Sequence, residues 1–186
     1  MNNPLSVEDR ATLHAIARQS IQSGLRYGRA LGVDPDHYPP TLRPVRATFV
    51  TLEIDVELRG CIGTLEARQA LVIDVAEHAY AAAFNDPRFP RLRTEEFAGL
   101  DIHISVLSPP EPVSFDSEED LLVKLRPGID GVILSLGERR ATFLPAVWED
   151  LPDPRLFINH LKRKAGLGAD FWDANLKIQR YVTESF

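Results

Sequence analysis

The stretch VRATFVTLEIDVELRGCIGTL, residues 45–65, decides the fold of this chain. Residues suited to extended structure recur at every second position in Thr48–Leu52, which predicts a β-strand. A turn near Ile54 and Asp55 then returns the chain through a second strand, so the stretch is predicted to form a hairpin. The only cysteine of the chain, Cys61, is predicted at or beyond the end of that second strand.

Helices are predicted on both sides of this hairpin. Ser6 and Asp9 form a capping-box pattern, and the apolar residues that follow at helical spacing predict a helix that ends near Gly32. A proline-rich loop leads from there to the hairpin. After the hairpin, residues 69–84 have an apolar stripe and many alanines, which predicts a second helix.

The second half of the chain mixes strands and helices. Residues 100–107 alternate as a half-buried strand, residues 116–125 predict a short helix, and Gly137 marks a hairpin. A basic helix is predicted between an Asp153 N-cap and Gly166, followed by one closing strand. Because no regular β-α-β alternation is present, we expect an α+β fold with a mixed, mainly antiparallel sheet flanked by helices. The 186 residues suit one domain, 1–186, without a separable linker.

The composition of the chain argues against several classes of function. The net charge of −6 opposes broad nucleic-acid binding, which needs a concentrated positive surface. No run is apolar enough for a membrane span, no secretory leader is visible, and the single thiol suits the reducing cytoplasm. The five histidines are scattered without metal-ligand spacing, and the standard nucleotide motifs are absent, so neither a metal nor a cofactor is expected.

Cys61 has two interpretations. Arg59 and the N-terminus of the following helix would favour a reactive thiolate. Alternatively, the thiol is a small buried apolar group, and Gly60 and Gly63 allow a bulge or the close approach of another element. Judged from the residue types alone, a packed Cys61 thiol is favoured over a reactive one. His78, His103 and His160 are each expected to be structural rather than the base of a Cys–His pair.

Two basic groups are further candidates for ligand binding. The loop FNDPRFPRLR, residues 84–93, carries Asp86 and Arg88 in a proline-stiffened segment that suits a phosphate or a carboxylate. The alternative is that Phe89 anchors the loop in the core and that the arginine side chains are solvated. Lys164 and Arg180 suggest a weaker basic pocket near the C-terminus.

Several blocks together resemble a known family. They are LRGCIGTL, AAFNDPRFPRL, ISVLSPPEPV, GIDGVIL, RRATFLPAVWEDLPDPRLFINHLKRKAGL and KIQRYVTESF. In this order they resemble the AMMECR domain family, and within it the prokaryotic AmmeMemoRadiSam system protein A type, over nearly the whole chain. The family motif falls on Arg59–Gly63 and on Asp86–Pro90, with Arg91 where the family usually has a second proline.

The resemblance implies a mixed larger lobe, a smaller second lobe and a cleft between them. It also implies association with a Memo-type protein and a radical-SAM enzyme, while the family's reaction is not established. One hypothesis is a pathway enzyme or enzyme component in which Cys61 is a nucleophile or acyl/alkyl acceptor and Asp86 orients the arginines that hold a small anionic ligand. The rival is a non-catalytic binding or adaptor module for a peptide, nucleotide or partner protein. The candidate ligand-binding residues are Arg59, Gly60, Ile62, Gly63, Asp86, Arg88, Lys164 and Arg180.

Overall fold

The computed structural model describes residues 4–186. Residues 1–3, which belong to the segment in which no secretory leader is visible, lie outside the described part. The fold is α+β, as predicted, and its strands form two four-stranded antiparallel sheets. The chain forms two compact units, one made of residues 4–107 with 184–186 and the other of Ser108–Thr183. The helices are α1 (Val7–Tyr27), α2 (Leu71–Phe84), α3 (Glu118–Lys124) and α4 (Pro154–Lys164). The strands are β1 (Thr48–Ile54), β2 (Glu57–Gly63), β3 (Asp101–Leu107), β4 (Glu111–Val113), β5 (Gly131–Leu136), β6 (Arg139–Phe143), β7 (Lys177–Tyr181) and β8 (Thr183–Ser185).

The first helix begins at the predicted capping box. The Ser6 hydroxyl accepts the Asp9 N–H at 3.0 Å, and the Asp9 carboxylate accepts the Ser6 N–H at 3.2 Å. The predicted end near Gly32 was wrong. The helix stops at Gly28, whose left-handed backbone (φ 69°) lets its N–H donate to the Gly24 carbonyl. A glycine C-cap of this kind satisfies a terminal carbonyl that a further turn of helix would otherwise satisfy.

The first sheet has the strand order β2-β1-β3-β8, which makes β2 an edge strand. Its inner face carries Val50, Leu52 and Ile104, all fully buried in one core with the apolar faces of α1 and α2. The hairpin turn lies at Asp55 and Val56, which both have positive φ, one residue later than predicted. The sheet therefore buries one face against α1 and α2, and the side chains at the alternate positions lie on its other face.

The second sheet has the order β4-β7-β5-β6 and its own core with α3 and α4. Trp148 stacks on Phe157 with ring centroids 3.7 Å apart and donates its indole N–H to the Asp130 carbonyl at 2.7 Å. Both aromatic residues are buried.

The single closing strand predicted from the sequence was wrong, because the segment forms two strands. β7 belongs to the second sheet and β8 to the first, and β4 is a short strand that the proline-rich sequence around it concealed. Between β7 and β8, the Val182 N–H donates to the Ser108 hydroxyl at 3.0 Å. Alternation along one strand does not reveal a change of sheet, since both strands share the same two-residue period. Within residues 4–186, no helix has the length and apolar character that a membrane span requires.

Candidate functional site

Cys61 lies inside β2, two residues before its end, and not at or beyond the end as predicted. It faces Thr51 directly across the hairpin, and the Thr51 hydroxyl donates to the Cys61 Sγ at 3.2 Å. The cysteine is half-buried. Directly opposed residues share one face of a sheet, so both side chains lie on the face away from α2.

The backbone of Cys61 is held from the open side of the sheet by two side chains. Its N–H donates to Asp86 Oδ2 at 2.9 Å, and its carbonyl accepts Arg88 Nη2 at 3.3 Å. Because β2 is an edge strand, these bonds replace those that a further strand would make. The N–H group of Cys61 is thus occupied, whereas an anion-binding backbone would need it unpaired.

Asp86 joins the loop after α2 to this strand. Its buried carboxylate accepts the Arg88 backbone N–H and Nε, both at 3.0 Å, and Nη2 at 2.7 Å. The pKa of Asp86 lies far below its usual value, chiefly because of the hydrogen bonds from the Arg88 side chain. Burial opposes this effect, and the Cys61 N–H adds to it. Asp86 is therefore a fixed anion that orients Arg88.

Arg88 places a cation beside the thiol. Its pKa is raised, first by the hydrogen bonds to Asp86 and to a smaller extent by the charge of a Cys61 thiolate. The side chain is 55% exposed, and its contacts with Asp86 and Cys61 use Nε and Nη2. No described residue of 4–186 binds Nη1, so this nitrogen can reach a solute.

Arg59 is paired elsewhere. Its Nε and Nη2 donate to the two Glu96 oxygens at 2.8 and 3.2 Å, and only 12% of its side chain is exposed. These bonds, together with the Arg93 N–H, lower the pKa of Glu96 to about 2. The register shift between Leu52 and Glu53 makes Arg59 the extra residue of a β-bulge. Its Nη1 is buried without a partner among the described residues.

The two glycines have packing reasons. A side chain at Gly60 would collide with the Ala82 carbonyl, and one at Gly63 would collide with the Phe49 ring and the Thr48 carbonyl. Ile62 packs against the core of the first unit. The close approach that the sequence suggested is therefore that of α2 and β1.

The predicted proximity of Cys61 to a helix N-terminus was wrong. Gly60, the neighbour of Cys61, packs against Ala82 in the last turn of α2. The positive end of a helix dipole acts within about one turn, so it does not reach this thiol. The cation beside Cys61 is Arg88 instead.

No described histidine bonds to the thiol. His103 lies across from Thr51 on the same face, but its Nε2 is 3.5 Å from a Glu53 carboxylate oxygen. His78 Nδ1 is 3.0 Å from both Asp74 Oδ2 and Thr48 Oγ1.

The cluster around His78 was missed by the sequence reasoning. Asp74 and Thr48 are buried, and together with His78 they tie α2 to β1. An aspartate four residues before a histidine on a predicted helix was the available signal, since such residues are neighbours. Within residues 4–186, no three His, Cys, Asp or Glu side chains are grouped to hold a metal ion.

Lys164 and Arg180 belong to the second unit, and each binds backbone there. Lys164 Nζ donates to the Thr142 carbonyl at 3.0 Å, and Arg180 Nη1 donates to the Lys124 carbonyl at 3.4 Å. Lys162, in the last turn of the same basic helix, is fully buried with its Nζ 2.6 Å from Glu118.

Comparisons with known proteins agree over nearly the whole chain. A family model described as AMMECR1 matches residues 14–186. A protein of Methanothermobacter thermautotrophicus is 39% identical, covering 98% of this chain and 96% of its own. A protein of Thermotoga maritima is 38% identical over 89% of this chain and 91% of its own. The crystal structure of the uncharacterized protein PH0010 from Pyrococcus horikoshii matches with a TM-score of 0.77 and 33% identity, over 94% of this chain and 88% of that one.

Proposed function

The chain belongs to the AMMECR1 family, and on that premise we propose that it is a component of a pathway shared with a Memo-type protein and a radical-SAM enzyme. Cys61 is its functional group and accepts an acyl or alkyl group. The whole chain acts as one functional domain with a cleft around the LRGCIG motif, which the family match across both compact units supports. We place it in the cytoplasm, where a lone thiol stays reduced.

One observation carries the proposal. The half-buried thiol has a hydroxyl donor on one side and a guanidinium nearby, and that guanidinium is anchored by the buried Asp86. Reactive cysteines occupy partially exposed positions near cations, because the thiolate and not the thiol is the nucleophile. Arg88 Nη1 supplies donors for an anionic group of the substrate, as a guanidinium suits carboxylate and phosphate.

The proposed step is a simple substitution. The Cys61 thiol gives its proton to solvent, and the sulfur electron pair forms a bond to the electrophilic carbon of an acyl or alkyl donor. The bond from that carbon to its leaving group breaks, and the leaving group departs with the electron pair. An acyl donor leaves a thioester on Cys61, and an alkyl donor leaves a thioether.

The test is the rate of Cys61 alkylation by iodoacetamide as a function of pH. Cys61 is the only cysteine, so the label reports this site alone, and the unfolded chain is the reference. We expect fast labelling of the native protein with a pH midpoint below that of the unfolded chain. Labelling that occurs only after unfolding would refute the role of the thiol, as would full pathway function of C61S in cells.

A binding or adaptor module is the second candidate. Both arginines of the site are paired with carboxylates, and both backbone groups of Cys61 are already bonded. On this reading the site docks a peptide, a nucleotide or a partner loop without chemistry. Co-purification of a Memo-type or radical-SAM protein that is lost in R88A and kept in C61A would favour it. The absence of any complex would count against it.

A further inference from the structure

We infer that Thr51 is a positioning residue that holds the Cys61 sulfur for reaction. This inference rests on the proposed function of the thiol. Cys61 bonds through its N–H and carbonyl to the outside of the sheet, so its pairing with Thr51 is of the non-hydrogen-bonded type. In antiparallel sheets this type brings the opposed side chains closest together. The strand pairing therefore delivers the hydroxyl to the sulfur.

The Thr51 hydroxyl is needed for the contact with the sulfur, and the strand itself does not need it. A valine at position 51 would have nearly the same shape and an equally good β propensity, but it would have no donor. The Thr51 O–H donates to Sγ at 3.2 Å. When the thiol loses its proton, this becomes a hydrogen bond to a charged acceptor and strengthens. The same bond restrains the direction in which the sulfur electron pairs point.

The charged neighbours allow the effect of Thr51 to be separated from theirs. Arg88 and Asp86 approach Cys61 from the loop after α2, and they form an ion pair with each other. Farther along the same sheet face, the Glu53 carboxylate faces His103 at 3.5 Å. Other titratable groups near these residues include Arg59, Glu96 and Arg93 beside β2, Asp101 on β3 and His14 on α1. Replacing Thr51 changes none of these charges.

The experiment compares the alkylation profiles of T51V, T51S and wild type. We expect T51V to react about three- to tenfold more slowly at pH 7, because its profile midpoint moves to higher pH without the donor. The rate on the high-pH plateau stays equal or rises, and T51S keeps the wild-type midpoint. S105A is the matched control, because it removes a hydroxyl from the same face that bonds to Ser185 instead.

Different results overturn different claims. A T51V midpoint equal to that of wild type, in a protein whose native thiol reacts at low pH, refutes the role of Thr51 and leaves the proposed function standing. A wild-type thiol that is inert until unfolding refutes the proposed function and this inference together. A uniform rate change at every pH means altered access only, and that also overturns the inference. If T51V does not fold, T51A removes the same donor and gives the same comparison.

Discussion

The two units each contain a buried aspartate that binds a nearby arginine in the same way. In the first, Asp86 accepts the backbone N–H and side chain of Arg88; in the second, Asp130 accepts the same groups from Arg126. Asp130 is fully buried and Asp86 almost so. Both pairs close a loop with charge-assisted hydrogen bonds, although the Arg88 side chain bonds to both oxygens of Asp86 and the Arg126 side chain bonds to Oδ1 of Asp130 alone.

The difference is in what else each carboxylate holds. Asp86 also accepts the N–H of Cys61, 25 residues away along the chain. The Asp130 carboxylate accepts hydrogen bonds from Arg126, four residues away, and lies 4.0 Å from Arg180 Nη1. Its backbone carbonyl accepts the indole N–H of Trp148. The aspartate–arginine pair therefore closes a loop in both units. In the first unit it also fixes β2, the strand that carries the thiol.

The largest effect is expected from D86N and its counterpart D130N. Each leaves a guanidinium without its carboxylate and is expected to lower the free energy of unfolding by about 2–4 kcal/mol. Only D86N should also speed hydrogen exchange of the Cys61 amide under native conditions, by roughly tenfold or more, because the asparagine side chain has a single oxygen, for which Arg88 and the Cys61 N–H compete. Urea denaturation and amide exchange measure the two quantities. Equal acceleration at Cys61 in both variants would break the comparison.

The next largest effect is expected from G60A, which tests the packing of β2 against α2. G60A places a methyl group against the Ala82 carbonyl, so α2 and β2 must separate. Overpacking of this kind is expected to cost about 2–3 kcal/mol in the urea denaturation of the variant. G99A is the matched control, since nothing lies within 4 Å of a side chain there. A neutral G60A would contradict the packing role of this glycine.

The smallest effect concerns pH and the Arg59–Glu96 pair. Glu96 has a folded pKa of about 2 against an ordinary value of 4.5, so its stabilisation is present above pH 4.5 and is lost as pH falls toward 2. E96Q should reduce the free energy of unfolding by about 1–2 kcal/mol at pH 7 and by almost nothing at pH 2. Denaturation at both pH values checks this. A penalty that persists at pH 2 would mean that packing, not charge, holds Glu96.

Local signals predicted the elements well. The capping box at Ser6 and the Asp153 N-cap are both present, and the residues around Cys61 do form a hairpin. Errors arose where a boundary depended on distant partners. The closing segment alternates like one strand, yet it divides between two sheets at Val182.

The candidate site was predicted in part. The sequence singled out Cys61, Asp86 and Arg88, and the structure joins them through side-chain bonds to the backbone of the cysteine. It did not single out Thr51, although an alternating strand opposite Cys61 contained that hydroxyl. Its importance depends on register, and a shift of one residue would turn it to the other face.

By itself, the sequence determined the α+β class, the helix caps and the residues proposed for the candidate site, because these follow from neighbours within a few positions. Tertiary structure alone decided that Gly60 meets α2, that Arg59 pairs with Glu96 and that Thr51 bonds to the sulfur. These contacts join residues that are 10 or more positions apart in the chain. Strand register and helix packing set them, and local periodicity carries no information about either.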